Sequence, residues 1–167
     1  MAAESRPAPP VAPELEPLAW LLGVWEGAGV GGYPTIESFH FGQEVAFSHV
    51  GKPMLTYRSR SWLLDEDGNQ VRPLASEAGF WRPQPDGQLE VTLSHPTGYA
   101  EIWVGTVEGA KAELHTDVVA RTATAKDYSA GHRLYGLVEG ELLWAFDMAA
   151  MGHPLQPHLS ARLKKVG

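Results

Sequence analysis

The sequence predicts an all-β protein, an antiparallel up-and-down β-barrel of about ten strands preceded by a short N-terminal helix. From Val24 onward, strand-like segments alternate with clusters of turn residues about every 8–12 residues, a spacing typical of sandwiches and barrels. The connections are short, so consecutive segments should pair as antiparallel neighbours. Closing such a meander into a ring removes its exposed edges, which favours the barrel.

The N-terminal segment has a different composition from the rest of the chain. Residues 1–13 are rich in Pro and Ala and predict a disordered tail. A single barrel domain is predicted over 14–167, a length that suits one domain. Its first element is a short helix over Glu14–Leu22, with Pro17 in the first turn, where a missing N–H costs little.

The remaining segments predict strands. The first begins at Val24 and the others are Thr35–Val50, Met54–Leu64, Val71–Arg82, Gln88–Leu93, Gly98–Val107, Ala112–Ala120, Arg133–Val138, Glu141–Met151 and His158–Val166. Gly42 lies inside one of them and predicts a β-bulge and a bend. The stretch from Arg121 to Gly131 breaks the rhythm and predicts a longer loop.

Composition excludes several classes of function. The chain has no cysteine, so disulfides, thiolate metal sites and a cysteine nucleophile are excluded. A net charge of −7 argues against general binding to nucleic acid or anionic membranes. No apolar run is long enough for a transmembrane helix, and Met1–Pro13 does not have the pattern of a secretory signal. A cytoplasmic location is therefore the default expectation.

The first predicted strand carries a glycine–tryptophan motif. Gly23–Gly29 reads G-V-W-E-G-A-G, with Gly23, Trp25, Gly27 and Gly29 at the fixed positions. Glycines in a strand allow a neighbouring backbone to approach closely, so a structural role for the motif is favoured. The pattern G-x-W also occurs in the first strand of lipocalin-like folds, which indicates a barrel that holds a ligand without indicating which ligand.

Histidines are the main candidates for chemistry. The chain has seven, and no two of them have the spacing of a known metal-ligand motif. His158 stands out because Pro157 fixes the backbone before it and a strand follows it. Simple alternation, however, places His158 with Ser160 and Arg162 on the solvent face of that strand. An inward orientation requires a polar interior, a bulge or an opening at this strand.

Taken together, these segments resemble the nitrobindin family, ten-stranded β-barrel haem proteins also described as peroxynitrite isomerases. The resemblance covers about residues 15–167. The segments that carry it are Gly23–Gly29, Tyr33–Thr35, Phe39–Phe41, Ser48–Leu55, Glu77–Arg82, His158–Leu159 and Lys164–Val166. Their order and spacing together are specific, although each alone is weak.

The resemblance implies a ferric haem b protein, with one haem per chain, that isomerises peroxynitrite to nitrate and binds nitric oxide reversibly. His158 matches the axial ligand of the haem iron, and Lys126 and Thr35 match positions assigned to the haem site. No catalytic residue beyond the iron is implied. Peroxynitrite and nitric oxide are the expected small-molecule partners, and a homodimer is left open.

Physical chemistry adds candidates for the pocket. Haem carries two propionates and this chain is acidic, so a local cation would help at the pocket mouth; Lys126 and Arg133 are candidates. Plausible apolar wall residues are Phe39, Phe41, Met54, Leu55 and Met148.

Two other functions fit the same barrel. A carrier or sensor of nitric oxide would use the same haem without catalysis. A haem-free, lipocalin-like carrier of an apolar ligand would make His158 incidental.

Overall fold

Ten antiparallel strands form a closed ring in the computed structural model, which describes residues 6–167. The strands are β1 (Gly23–Tyr33), β2 (Ile36–Ser48), β3 (Leu55–Leu64), β4 (Gln70–Pro83), β5 (Gln88–His95), β6 (Tyr99–Glu108), β7 (Lys111–Arg121), β8 (Tyr128–Val138), β9 (Glu141–Ala150) and β10 (Gln156–Lys165). Each strand pairs with its neighbours in sequence, and β1 pairs with β10 to close the ring. The predicted fold class is confirmed.

A 3₁₀ helix at Pro13–Leu21 precedes the barrel, where the sequence predicted a short helix. Leu15, Leu18 and Leu21 are fully buried and recur every third residue, which matches the three residues per turn of a 3₁₀ helix. The helix therefore presents one leucine face to the barrel core. Together with Trp25 it closes one end of the barrel, since the Trp25 indole donates a hydrogen bond to the Leu21 carbonyl at 2.9 Å.

The two ends of the barrel differ. The turns at 34–35, 65–69, 96–98, 122–127 and 151–155 surround one end, called here the open end. The opposite end carries the 3₁₀ helix and is called the closed end. A 3₁₀ turn at Pro85–Gly87 links β4 to β5 at this closed end.

The bulge predicted at Gly42 is absent, and that prediction was wrong. Strand β2 keeps an unbroken register through Gly42, which pairs with Ala28 of β1 and Trp62 of β3. A Cβ atom at this position would lie 2.2 Å from Nε1 of Trp62. The glycine therefore makes room for an indole on the next strand and does not bend its own.

The loop predicted from Arg121 to Gly131 is shorter than expected. Strand β7 continues to Arg121 and β8 begins at Tyr128, which leaves 122–127 as the connection. The Tyr128 side chain is almost fully buried, so the start of β8 belongs to the barrel interior.

The tail lies partly outside the described residues, which exclude positions 1–5. Residues 6–12 contain no helix or strand, and Ala12 packs against the buried core. Tail disorder and a domain boundary after residue 13 stay predictions. Between residues 6 and 167, no helix has both the length and the apolar character needed to cross a bilayer.

Candidate functional site

The barrel interior contains a cavity of about 570 Å³ that reaches the open end. This volume lies within the range of about 300–1,000 Å³ that small-molecule sites usually have. Its walls combine apolar and polar side chains. They include Phe39, Phe41, Gln43, Leu74, Glu77, His95, Tyr99, Lys126, Arg133, Trp144, Phe146, His158 and Leu159.

A β-bulge in β10 turns His158 into this cavity. Pro157 pairs with Asp147 of β9 and Leu159 pairs with Phe146, so His158 is the extra residue between them. A bulge places two residues opposite one and changes the direction of the side chains there. His158 and Leu159 consequently both line the cavity, although strict alternation predicted opposite faces.

A second irregularity, in β1, holds the His158 ring. The register of β1 against β2 shifts between Gly31 and Tyr33. The Gly32 carbonyl lies 2.9 Å from Nδ1 of His158 and accepts a hydrogen bond from it. The proton therefore sits on Nδ1, and the lone pair of Nε2 is free to bind a metal ion.

Aromatic rings fix the orientation of this imidazole. Tyr33 and Phe146 approach it edge-on, with ring centroids 5.6 and 5.8 Å away. The Tyr33 hydroxyl also accepts a hydrogen bond from the Ala150 amide at 3.0 Å and so ties β1 to the end of β9. Burial lowers the pKa of His158, against an opposing effect of the Gly32 hydrogen bond, so the ring is neutral near pH 7.

Lys126 lies at the open end, in the connection between β7 and β8. The residue as a whole is exposed, but its ammonium group leans inward, 5.8 Å from the Tyr99 ring centroid and 5.9 Å from that of Tyr128. Burial of this group lowers the pKa of Lys126, and Glu101 opposes that effect. The side chain can therefore place a positive charge at the cavity mouth.

Thr35 lies in the turn between β1 and β2 and is exposed. Its neighbour Ile36 lines the cavity, whereas Thr35 does not. A contact between Thr35 and a bound haem stays a prediction.

The glycine–tryptophan motif lies in β1, away from the cavity chemistry. A Cβ atom at Gly27 would lie 2.1 Å from the Arg162 carbonyl oxygen, and one at Gly29 would lie 2.3 Å from that of Ser160. Both contacts are with the backbone of β10, so these glycines permit the pairing that closes the ring. Gly23 has a φ of 134°, in the region that favours glycine, and begins β1 beside the buried Trp25.

Comparison with known proteins shows the family to which this chain belongs. Residues 14–165 match the family described as the THAP4-like, heme-binding beta-barrel domain. The chain belongs to this haem-binding β-barrel family. Because curated relatives carry nitrobindin and peroxynitrite isomerase names, the resemblance predicted from the sequence is confirmed.

Several similar proteins cover nearly the whole barrel. A peroxynitrite isomerase of Nocardioides sp. is 56% identical over 151 residues, which are 90% of this chain and 92% of that protein. A ferric nitrobindin-like protein of Kineococcus radiotolerans is 54% identical, with 91% of this chain and 93% of that protein covered. The crystal structure of Rv2717c from M. tuberculosis superposes with a TM-score of 0.85 at 42% identity and covers 95% of this chain and 100% of that one.

The side chains of this member of the haem-binding family fit a haem. A neutral imidazole with a free Nε2 and a hydrogen-bonded Nδ1 is a suitable axial ligand. Phe39, Phe41 and Phe146 offer apolar walls for a flat macrocycle. Lys126 can pair with a propionate at the open end, and so can Arg72, an exposed cavity residue that the sequence analysis missed.

Three of the five predicted wall residues do not line the cavity. Leu55 is fully buried but does not line the cavity, and Met54 belongs to the closed-end turn. Met148 is buried beside the cavity, with its sulfur 3.6 Å from the Lys126 ammonium. Apolar residues that line the cavity differ from those that do not only in their position along the strand. Sequence patterns do not show how deep a cavity extends.

Arg133 is not the mouth cation that the sequence suggested. It is 3% exposed and donates two hydrogen bonds to the Glu77 carboxylate, at 2.6 and 2.9 Å. The Tyr57 hydroxyl donates a third to Glu77, at 2.5 Å. Burial alone would raise the pKa of Glu77, but Arg133 holds it at about 2. The charge of Arg133 is thus neutralised inside the barrel.

A second buried carboxylate lies beside this pair. Glu101 accepts a hydrogen bond from the Tyr128 hydroxyl at 2.6 Å and contacts Nε2 of His95. Nδ1 of His95 lies 3.7 Å from Glu77, which links the two carboxylates. Strand alternation places Arg133 on the same inward face of β8 as Tyr135, and this is the sequence signal for the network. No local pattern shows that Arg133 meets Glu77 and Glu101, because these residues are far apart in the chain.

Proposed function

We propose that this protein holds haem b on His158 and isomerises peroxynitrite to nitrate. The observation that carries the proposal is the double irregularity of β1 and β10, which turns His158 inward and leaves Nε2 free. Membership of the haem-binding family and the names of close relatives support the cofactor and the reaction.

The chain's own residues have defined tasks in this proposal. His158 holds the iron, and Tyr33 and Phe146 keep its ring in one orientation. When bound, a haem with a single protein ligand would supply an iron centre with an open coordination position for a small anion. Lys126 raises the local positive potential at the mouth, which favours entry of peroxynitrite into an otherwise acidic protein.

The atom and charge balance of the reaction explains why no acid or base side chain is assigned to it. Peroxynitrite and nitrate have the same atoms and the same charge, so their interconversion consumes no proton, electron or second substrate. A site for this reaction needs a metal centre and access, and it does not need a general acid and base. The proposal accordingly names no catalytic side chain beyond the iron and its ligand.

The first experiment is an absorption titration of the purified protein with ferric haem, run beside His158→Ala. We expect a saturable Soret band for the parent chain and its loss in the variant, because the variant lacks the axial nitrogen. A far-ultraviolet circular dichroism spectrum checks that the variant retains its strands. Equal haem affinity in both proteins would remove His158 from the site.

The second experiment measures peroxynitrite decay by stopped flow, with nitrate yield determined afterwards. Holo-protein should accelerate the decay and raise the nitrate fraction over buffer. A decay no faster than in buffer would leave a haem protein without this activity.

Reversible nitric oxide binding is proposed for the same iron. It predicts a ferrous nitrosyl spectrum that reverts when nitric oxide is removed. If nitrosyl formation occurs without peroxynitrite turnover, the protein is a carrier or sensor. If no Soret band forms at all and an apolar molecule co-purifies, the protein is a haem-free carrier.

A homodimer and a cytoplasmic location stay predictions. Light scattering after size exclusion measures the oligomeric state.

A further inference from the structure

Two histidines and a glutamate meet on the outer surface of the barrel, away from the cavity. His115 of β7 and His132 of β8 are directly paired across the strands, and Glu113 lies two residues before His115 on the same face. One ligand atom from each of the three residues lies within 4.8 Å of the other two. Nothing in the proposed haem chemistry uses these side chains.

The distances suit a metal ion. Oε1 of Glu113 lies 3.2 Å from Nε2 of His132 and 3.6 Å from Nε2 of His115. Tetrahedral coordination with bonds of about 2.1 Å separates ligand atoms by about 3.4 Å. A metal ion could therefore bind all three atoms with small side-chain movements, and a water molecule would complete the coordination.

The charges around His132 also favour a cation. Its Nε2 faces Glu113, while its Nδ1 lies 3.6 Å from Oδ2 of Asp147 on β9. A neutral imidazole has one N–H, so one of its nitrogens directs a lone pair at a carboxylate. A metal on Nε2 removes this conflict, because Nδ1–H then points to Asp147, the arrangement in which a carboxylate orients a ligating histidine.

The three residues lie at the end of the β7–β8 pairing, so a bound metal ion would affect how these two strands are held together. The pairing of β7 with β8 runs from Lys111 opposite Gly136 to His115 opposite His132 and ends there. Beyond it, Thr116 bonds the Gly131 backbone through its hydroxyl, and the two strands continue separately toward the 122–127 connection. A metal bound to this last pair would hold the two strands together where they begin to separate.

We propose that Glu113, His115 and His132 form a binding site for a divalent transition-metal ion that clamps β7 to β8 on the outer surface. Two imidazoles and one carboxylate select ions such as Zn²⁺ or Cu²⁺, whereas Mg²⁺ and Ca²⁺ prefer oxygen ligands. The site is independent of the haem, because the three side chains face away from the interior.

The test is a calorimetric titration of the haem-loaded full-length protein with Zn²⁺. We expect one Zn²⁺ per chain, binding at least tenfold weaker in His115→Gln, and no saturable heat with Mg²⁺. His115 is 60% exposed, so this substitution leaves the fold intact. His40→Gln is the matched control, because it removes an exposed histidine from β2 and should leave the affinity unchanged. No saturable Zn²⁺ binding, or equal binding to His115→Gln, would overturn the site.

Two further measurements separate this site from the haem ligand and test the clamp. Haem-free His158→Ala protein should bind Zn²⁺ with the parent affinity, whereas loss of binding would assign the metal to His158. Zn²⁺ should also slow amide hydrogen exchange at 116–131 in the parent protein but not in His115→Gln. Unchanged exchange despite binding would overturn the clamp.

Discussion

Glu77 and Arg133 form an ion pair inside the barrel, where their side chains are only 13% and 3% exposed. Removal of one member of a buried pair is costly because it leaves the other uncompensated. Arg133 also donates to the Tyr135 hydroxyl at 3.1 Å, whereas its Nε is buried without a hydrogen-bond partner among residues 6–167. Its guanidinium carbon lies 4.8 Å from the Phe146 ring centroid, close enough for a cation–π contact.

Stability should therefore depend on pH through Glu77. Its pKa is about 2 in the folded protein, below the ordinary value of 4.5. The unfolded chain thus binds this proton first, and the stabilisation is complete above about pH 5 and lost as the pH falls toward 2. A shift of this size corresponds to roughly 3 kcal/mol. In Glu77→Gln, we expect urea melts to give a lower free energy of unfolding at pH 7 and a weaker pH dependence between 5 and 2.

The control for Glu77 is an exposed ion pair elsewhere on the barrel. Glu90 lies 3.6 Å from Arg82, and both side chains are about half exposed. Glu90→Gln should change the free energy of unfolding by less than about 1 kcal/mol, because solvent screens such pairs. A similar loss in both variants would mean that burial of Glu77 has no special effect.

His158 shows what alternation in a single strand cannot predict. Simple alternation in β10 places His158 on the solvent face and leaves open whether a bulge turns it inward, because the bulge depends on how β10 pairs with β9. That pairing is a property of two strands. The pairing of Arg133 with Glu77 was not predicted for a related reason, since these residues lie on β8 and β4 and meet only across the interior.

At the scale of the strand, closure depends on small residues in β1. Gly27 has no room for a Cβ atom, which would lie 2.9 Å from Cα of Leu163 as well as against the Arg162 carbonyl. Gly27→Ala should push β10 away and lower the free energy of unfolding by more than about 2 kcal/mol, as overpacking against a backbone does. Thermal unfolding followed by circular dichroism measures the effect.

Gly136 is the matched control for Gly27. It also lies within a strand, but an added Cβ would meet its nearest neighbour, the Ala110 carbonyl, at 3.8 Å. Gly136→Ala should therefore be close to neutral. Equal destabilisation by the two alanines would show a general loss from altering strand glycines and no specific role in ring closure.

Strand positions were predictable because turns and alternation are local. Nine of the ten strands lie where the sequence predicted them to within a few residues, and β8 is the exception. Its first residues, Tyr128 to Gly131, follow a stretch of Thr, Ala and Lys that has no strand pattern, and they are strand because β9 pairs with them. The same dependence on a partner explains Gly42, whose space is filled by Trp62.

At the scale of the whole molecule, the leucine-packed helix and the binding cavity lie at opposite ends of the barrel. The 3₁₀ helix buries Leu18 completely at the closed end, while the His158 cavity reaches the open end. Leu18→Ala should lower the free energy of unfolding by about 2–5 kcal/mol through the cavity it leaves. Haem affinity, measured by the same absorption titration below the melting temperature, should stay within about twofold of the parent. A parallel loss of affinity would show that the two ends are coupled.

The closing pair of the ring has a consequence during synthesis on the ribosome. Strand β1 emerges from the ribosome before every other strand, whereas its partner β10 emerges last. One edge of β1 therefore has no partner while strands β2 to β10 are being translated. Such an edge invites pairing with another chain. β1 has five glycines among its 11 residues and a charged Glu26, a composition with low intrinsic preference for strands. The glycines that let β10 come close thus also make the waiting edge a poor template for aggregation.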